Sequence, residues 1–295
     1  MAAITASLFI FLTTELMPIG LLTPLSASLG VSVGSVGLMV TAQGLAAGLG
    51  VPFIVAWTRR VNRRRLLTTL LAVLAVGNLI TSIAPNYPLI LGTRLIMGFA
   101  SGVSMAMIPS LPSANAVSVR EVFELPVRNV PLRLVLVMVV FFVLGHFGAY
   151  TLVRPCLEDS TSATVGFITV VLIVFGTGGA IGNFIGGQTV NKSLRGSFIV
   201  GGLIMIAAMI LWGLAFGVVQ LSQINMTLSA APETFEAAMS LNTMAYNTCI
   251  ALGALIGGLF ADHVGVTSVV WFGIVLVALA VILRASTGRR TTPAI

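Results

Sequence analysis

A single carboxylate interrupts the first apolar run of this chain: Glu15, in "TTELMPIGLL", inside a stretch from about Ala3 to Leu29 that carries no other charge. A charged group at the centre of a bilayer costs about 2.5–3.5 kcal/mol on insertion scales. Desolvation favours its neutral form, so such an acid can exchange a proton near neutral pH if a water-filled cavity reaches it. The bland alternative is a permanently protonated Glu15 that hydrogen-bonds between helices. Arg94, in "GTRLIMG", is the basic counterpart, about 9 Å inside its apolar run at 1.5 Å per residue. It cannot be neutralised, so it must find water, carbonyls or a carboxylate, or else snorkel to the near interface. His146, Tyr150 and Arg154, in "GHFGAYTLVRP", recur at i, i+4 and i+8 and share one helix face. A cavity suits His146, whereas Arg154 reads as an interface anchor. Thr41, Gln43, Asn78, Asn183, Asn242 and Asn247 also fall within apolar runs, where each can line a pore or bridge two helices.

These groups belong to a chain that cannot cover itself for water. Of its 295 residues 57% are hydrophobic and 8% charged, with a mean hydropathy of +1.09. Soluble domains carry roughly 25% charged residues. The composition therefore predicts an integral membrane protein. Spans need about 20 mainly apolar residues, and candidates fall at about 4–27, 35–57, 66–84, 88–110, 132–153, 163–187, 197–220, 237–260 and 267–284. Their length and lack of alternation exclude a barrel, so the expected fold class is an all-α polytopic helix bundle of about nine segments. The first run reads as one of these segments and not as a signal peptide, since it lacks a basic leader. Gly98 with Gly102, Gly178 with Gly182 and Gly186, and Gly253 with Gly257 have the spacing of close helix contacts.

The net charge of +7 is an orientation signal and not a sign of nucleic acid. Five of the fifteen basic residues (Arg59, Arg60, Arg63, Arg64 and Arg65) sit with Asn62 in the loop "RRVNRRR", which the positive-inside rule holds in the cytoplasm. "SASLGVSVG" and "SIAPNYP" have no charge and read as external. Arg120, Arg128, Lys192 and Arg195, and the tail with Arg284, Arg289 and Arg290, all favour the inside. Yet only three apolar runs separate Lys192 from Arg284, and two inside ends require an even number of crossings. Ser197–Gln220 is expected to form one continuous helix, since Gly201 and Gly202 are its strongest break signals. A re-entrant stretch near Gly201–Met209 would reconcile the count. Cys156 and Cys249 form no CxxC and read as packing residues. There is no GxSxG, HExxH or Walker A motif and no cluster of metal ligands.

The opening "TTELMPIGLLTPLSASLGVSVGSVGLMVTAQGLAAGLGVP" resembles the first two helices of major facilitator superfamily exporters, of the bacterial drug/proton antiporter branch that exports sugars, arabinose, nucleosides or chloramphenicol. "LGTRLIMGFASG" resembles that family's fourth-helix motif, "GHFGAYTLVRPCLE" its helix seven and "SLNTMAYNTCIALGALIGGLFADHVGV" its helix eleven. "RRVNRRRLL" occupies the loop of the Gly-x-x-x-Asp-Arg-x-Gly-Arg-Arg motif, with Arg59 at the acidic position and Asn62 at the second glycine, which weakens the case for that motif's charge relay. "GFASGVSMAMIPSLPSANAVS" passes from helix four to the end of helix six, and "GSFIVGGLIMIAAMILWGLAFG" from helix nine to helix ten. The resemblance thus implies internal deletions relative to a twelve-helix protein.

It also implies a transporter, not an enzyme, that exports small molecules by proton-driven alternating access, with a truncated, non-transporting relative as the alternative. The implied partners are a small-molecule substrate, protons and the lipid bilayer, with no nucleic acid and no cofactor or metal, in a monomeric multi-pass protein of a bacterial inner membrane. Glu15 is the implied proton-coupling residue. Arg94, Gln43, Thr41, His146, Tyr150 and Asn247 are the cavity candidates. The domain plan is an incomplete amino-terminal bundle (1–110), a cytoplasmic loop (111–131), an incomplete carboxy-terminal bundle (132–286) and a tail (287–295). Cysteines introduced beside Arg60 and in "SIAPNYP" should label oppositely with an impermeant thiol reagent. External labelling beside Arg60 would invert this topology.

Overall fold

The computed structural model describes residues 18–57, 63–84, 86–107, 119–161, 164–189, 193–207, 209–265 and 267–287. They form α1 (Leu22–Leu29), α2 (Val33–Trp57), α3 (Arg63–Ile83), α4 (Tyr87–Met107), α5 (Val119–Arg128), α6 (Val130–Thr151), α7 (Val153–Thr161), α8 (Val165–Thr189), α9 (Leu194–Ala207), α10 (Met209–Ala230), α11 (Phe235–His263) and α12 (Ser268–Ser286). Six helices are long and apolar enough to cross a membrane: those within α2, α3, α6, α8, α11 and α12. The helices of α4 and α9 contribute shorter apolar spans, Tyr87–Val103 and Leu194–Ile204. Large apolar side chains stay exposed along α3 and α8 (Val76, Leu79, Ile83, Phe167, Ile173, Phe184), as a surface facing lipid requires.

Glycine decides which helices meet. On α4, a methyl group at Gly98 or Gly102 would strike the backbone of Gln43 or Ala47 on α2. On α11, one at Gly253 would lie 2.9 Å from Leu144 O, and one at Gly257 2.6 Å from Gly148 O of α6. Two of the three expected small-residue sets therefore bring backbones into contact, where dispersion and tight packing replace the hydrophobic drive that lipid removes. Among the described residues the contact between α2 and α11 is the most extensive between two helices, and it joins the two halves. Gly44 faces the carbonyl of Asn247 (2.8 Å from an added methyl), Gly48 faces Thr248 Oγ1 (2.6 Å) and Gly258 faces Gly34 Cα (3.2 Å). Thr41 Oγ1 donates across this seam to Ala251 O at 3.1 Å.

Two groups of contacts define the ends of the bundle. At one end Arg154 donates to Gly20 O (2.6 Å), Thr23 to Glu158 (2.7 Å) and Tyr87 to Ser35 O. At the other, Asn129 donates to Ala230 O (2.7 Å) and Arg195 to Ala285 O. The uncharged loops flank the first end and the arginines Arg120, Arg128 and Arg195 the second. The helical segment α5 lies in the stretch expected to be a loop, with Glu124 bridging Arg120 and Arg128 at 2.7 Å each.

The expectation of one continuous helix across Ser197–Gln220 is corrected here. The residues form two helices, α9 and α10, packed antiparallel: Gly201 meets Ala215 and Val219, and Leu194 lines the same cavity as Met226. The sequence hides this because Gly201 and Gly202 do not break the helix but serve as contact points. Gly201 admits Val219 from α10 (2.6 Å from an added methyl), and Gly202 admits Val281 from α12. The hairpin begins and ends on the arginine-rich end, so the chain from Arg195 to Arg284 makes an even number of passes and the parity conflict disappears. α9 is about 21 Å long at 1.5 Å per residue, short of a bilayer core of about 30 Å. A carboxy-terminal reporter active only in the cytoplasm should therefore be active. A silent reporter on a well-expressed protein would mean that the hairpin opens into a single crossing.

Candidate polar site inside the bundle

Several sequence-singled residues lie outside the described residues: Glu15, Arg59, Arg60 and Asn62. Arg63 and Arg64 open α3, and Arg65 is exposed on its first turn.

Among its described residues the amino-terminal half holds one buried cation. Arg94 is 1% exposed on α4, and its guanidinium donates to Gln43 Oε1 on α2 at 2.9 Å. It takes the buried option and does not snorkel. Gly98 lets α4 close on the backbone of Gln43, which holds that acceptor one turn from Arg94. Thr41 and Gln43 are buried two residues apart and do different work: Thr41 ties α2 to α11, and Gln43 ties α2 to α4.

In the carboxy-terminal half His146 is 1% exposed and surrounded by rings. Phe216 stacks on it with centroids 4.0 Å apart, Tyr150 at 5.4 Å and Phe175 at 6.2 Å, while Phe147 meets it edge-on at 4.8 Å. Offset and edge-on pairs of this kind each add about 0.5–1.5 kcal/mol beyond burial. α6, α8 and α10 are thereby knitted around one aromatic centre. Tyr150 continues it toward the uncharged end by stacking on Phe175 at 4.5 Å. Arg154, expected to be an interface anchor, is instead buried. Its Nε donates to Glu158 at 2.9 Å while its second donor reaches Gly20 O in the other half. The carboxylate that Thr23 approaches from the same half explains why burial is tolerated: the charge is paired and hydrogen-bonded.

Next to the aromatic centre lies a small cavity of about 100 Å³ between α10 and α11, lined by Gln220, Gln223, Ile224, Met239, Asn242, Thr243 and Tyr246. Gln220 Nε2 donates to Tyr246 Oη at 3.4 Å and Thr227 to Asn242 Oδ1 at 3.4 Å. Gln223 is buried, with its Nε2 unpaired. Asn247, one turn on, donates to Thr243 O at 2.9 Å and presents its carbonyl to the seam with α2. The span expected from hydropathy ends at about Gln220, whereas α10 continues to Ala230. The available signal was the stripe Gln220, Gln223 and Thr227 at i, i+3 and i+7, which puts the polar groups on one face of a continuing helix.

Residues 3–116 match the profile of the Major Facilitator Superfamily. The chain is 26% identical to the "Inner membrane transport protein YdhP" of Escherichia coli, with 94% of this chain and 93% of that protein aligned. It is 26% identical to the "Uncharacterized MFS-type transporter YtbD" of Bacillus subtilis, with 95% and 93% aligned. It is 24% identical to a "Probable sugar efflux transporter" of Helicobacter pylori, with 93% and 91% aligned. The alignment with the Escherichia coli protein spans 362 positions, more than the 295 residues of this chain, so that protein carries residues this chain does not have. Apolar helices and these similarities define an integral membrane protein with an all-α helix bundle that is similar to proteins of the Major Facilitator Superfamily.

Gln43→Ala should lower stability more than an ordinary polar truncation, because it removes an acceptor from a buried cation. Hydrogen bonds to charged groups contribute about 1.5–3 kcal/mol. The expected result is a fall of several degrees in the apparent Tm of the purified protein, with Gln43→Glu milder than Gln43→Ala. An unchanged Tm in Gln43→Ala would show that the Gln43–Arg94 contact carries no net stability.

Proposed function

We propose that this chain is a transporter of the Major Facilitator Superfamily that exports uncharged, hydrogen-bonding small molecules such as sugars, nucleosides or chloramphenicol-like drugs, driven by protons. The observation that carries the reading is the amide-, hydroxyl- and ring-lined cavity between α10 and α11 in a largely apolar bundle. Polar groups at that depth are costly unless they serve binding or conduction. The relatives' printed names, transport protein and sugar efflux transporter, support the same class.

In this mechanism substrate enters when the halves part at the arginine-rich end and leaves when they part at the other. The closed seam between α2 and α11, with the Arg154–Glu158 pair reaching Gly20 and Thr23, supports a state shut at the uncharged end. At about 100 Å³ the polar cavity has room for about three waters at roughly 30 Å³ each. Substrate binding would therefore accompany its widening. Glu15 carries the proton, taken up from outside to bias the halves toward the state open inward. Gln43, Arg94, Thr41, His146, Tyr150 and Asn247 shape the path between the halves. The protein acts as a monomer in a bacterial inner membrane. Internal deletions relative to twelve-helix relatives, supported by the 362-position alignment, motivate the alternative of a non-transporting relative.

Proteoliposomes loaded with a labelled sugar, nucleoside or chloramphenicol and given a pH gradient test this. Wild type should move at least one of the three faster than protein-free vesicles, with proton flux coupled to it. Glu15→Gln should lose the dependence on the gradient. A Gly34→Cys, Asp262→Cys pair, placed where an added methyl would touch the Asp262 carboxylate, should crosslink under oxidation and stop transport until reduced. No flux from well-folded wild type would favour the non-transporting reading, and unchanged pH dependence in Glu15→Gln would remove Glu15 from the mechanism.

A further inference from the structure

A second cavity, of about 260 Å³, lies at the arginine-rich end of the carboxy-terminal half, between α6, α9, α10 and α12. It is separate from the polar site, which it neither touches nor shares residues with. Its walls are apolar (Leu134, Met138, Leu194 and Met226), and its rim carries Ser229, Thr287 and Arg284. Arg284 is 9% exposed, and its Nε has no hydrogen-bond partner. Arg195 brings a second cation to this end, its guanidinium donating to the carbonyl of Ala285, the residue next to Arg284. Among the described residues the ion pairs are Arg120–Glu124, Arg128–Glu124 and Arg154–Glu158, so neither Arg195 nor Arg284 has a carboxylate.

A buried guanidinium without an anion, beside a second cation, is an unfavourable arrangement for an empty site. It becomes favourable once a group with several acceptor oxygens sits between them, because Arg binds phosphate through charge-assisted hydrogen bonds. The apolar walls then select among phosphate-bearing molecules. The volume is that of about eight or nine waters at roughly 30 Å³ each, more than one phosphate ion fills. Arg284 stands in the last turn of a helix long and apolar enough to cross a membrane, the position at which a basic side chain can meet headgroups. Basic pockets between helices on the cytoplasmic side are suited to anionic headgroups. We propose that this cavity binds an anionic phospholipid, its phosphodiester on Arg284, with Arg195 as a second cation nearby, and its glycerol and upper acyl chain against Leu134, Met138, Leu194 and Met226. The lipid would join α9 and α12 to α6 and hold the base of the short hairpin.

The test uses the full-length protein purified in detergent and titrated with phosphatidylglycerol, phosphatidylcholine or inorganic phosphate, with native mass spectrometry and thermal unfolding as readouts. Phosphatidylglycerol should be retained in preference to phosphatidylcholine and should raise the Tm. Arg284→Gln should weaken that binding about tenfold, in the range of one charge-assisted contact, and Arg284→Lys less. If Arg284→Gln does not fold, Met226→Trp keeps both arginines but fills the apolar wall, and should expel the lipid. Equal responses to the two lipids, or wild-type retention in both Arg284→Gln and Met226→Trp, would overturn the proposal. If inorganic phosphate alone reproduces the stabilisation and displaces the lipid, the site takes the free anion and the lipid assignment fails.

Discussion

The approach of α2 to α11 through glycine is the contact on which the rest of the bundle depends. Lipid tails are as apolar as the helix surfaces, so burial against a neighbouring helix gains little hydrophobic energy over burial in lipid. What remains is close packing, and that requires side chains small enough for backbones to meet. Gly34, Gly44 and Gly48 on one side and Gly258 on the other let two long helices lie together from the uncharged end past the middle of the bundle. Each half then hangs on this seam through further glycine contacts, α4 on α2 by Gly98 and Gly102, and α6 on α11 by Gly253 and Gly257.

Polar groups follow from the same constraint. Where backbones touch, there is room for few side chains, and those that remain must find partners inside. Gln43 meets Arg94, Thr41 meets the Ala251 carbonyl, and Thr227 meets Asn242. The aromatic centre around His146 does the opposite work, filling with rings the wider space where α6, α8 and α10 diverge. The small polar cavity lies where these two regimes adjoin, between α10 and α11.

Charge orients what packing builds. Arginines at one end of the bundle agree with a hairpin of α9 and α10 that returns to that end, so Arg195 and Arg284 fall at the same end although α9 is too short to cross. The basic cavity beneath the hairpin, with Arg284 and Arg195 facing no carboxylate, belongs to that same end.

The amino-acid sequence by itself determined the membrane class and the positions of most of the long helices, because these depend on local hydropathy along the chain. It also marked Arg94, His146 and the glycine pairs, since a charge or a small residue in an apolar run is conspicuous without a fold. It did not determine that α9 turns back on α10, that Arg154 is buried in a contact between the halves, or that "LSQINMTLSA" continues a helix whose polar face lines a cavity. Those features rest on partners 15 to 134 positions away, such as Asn242 for Thr227, Val219 for Gly201 and Gly20 for Arg154. A glycine reads the same in sequence whether it ends a helix or admits another, and an arginine reads the same whether it meets headgroups or a carboxylate. Only the packing of distant helices decides between them.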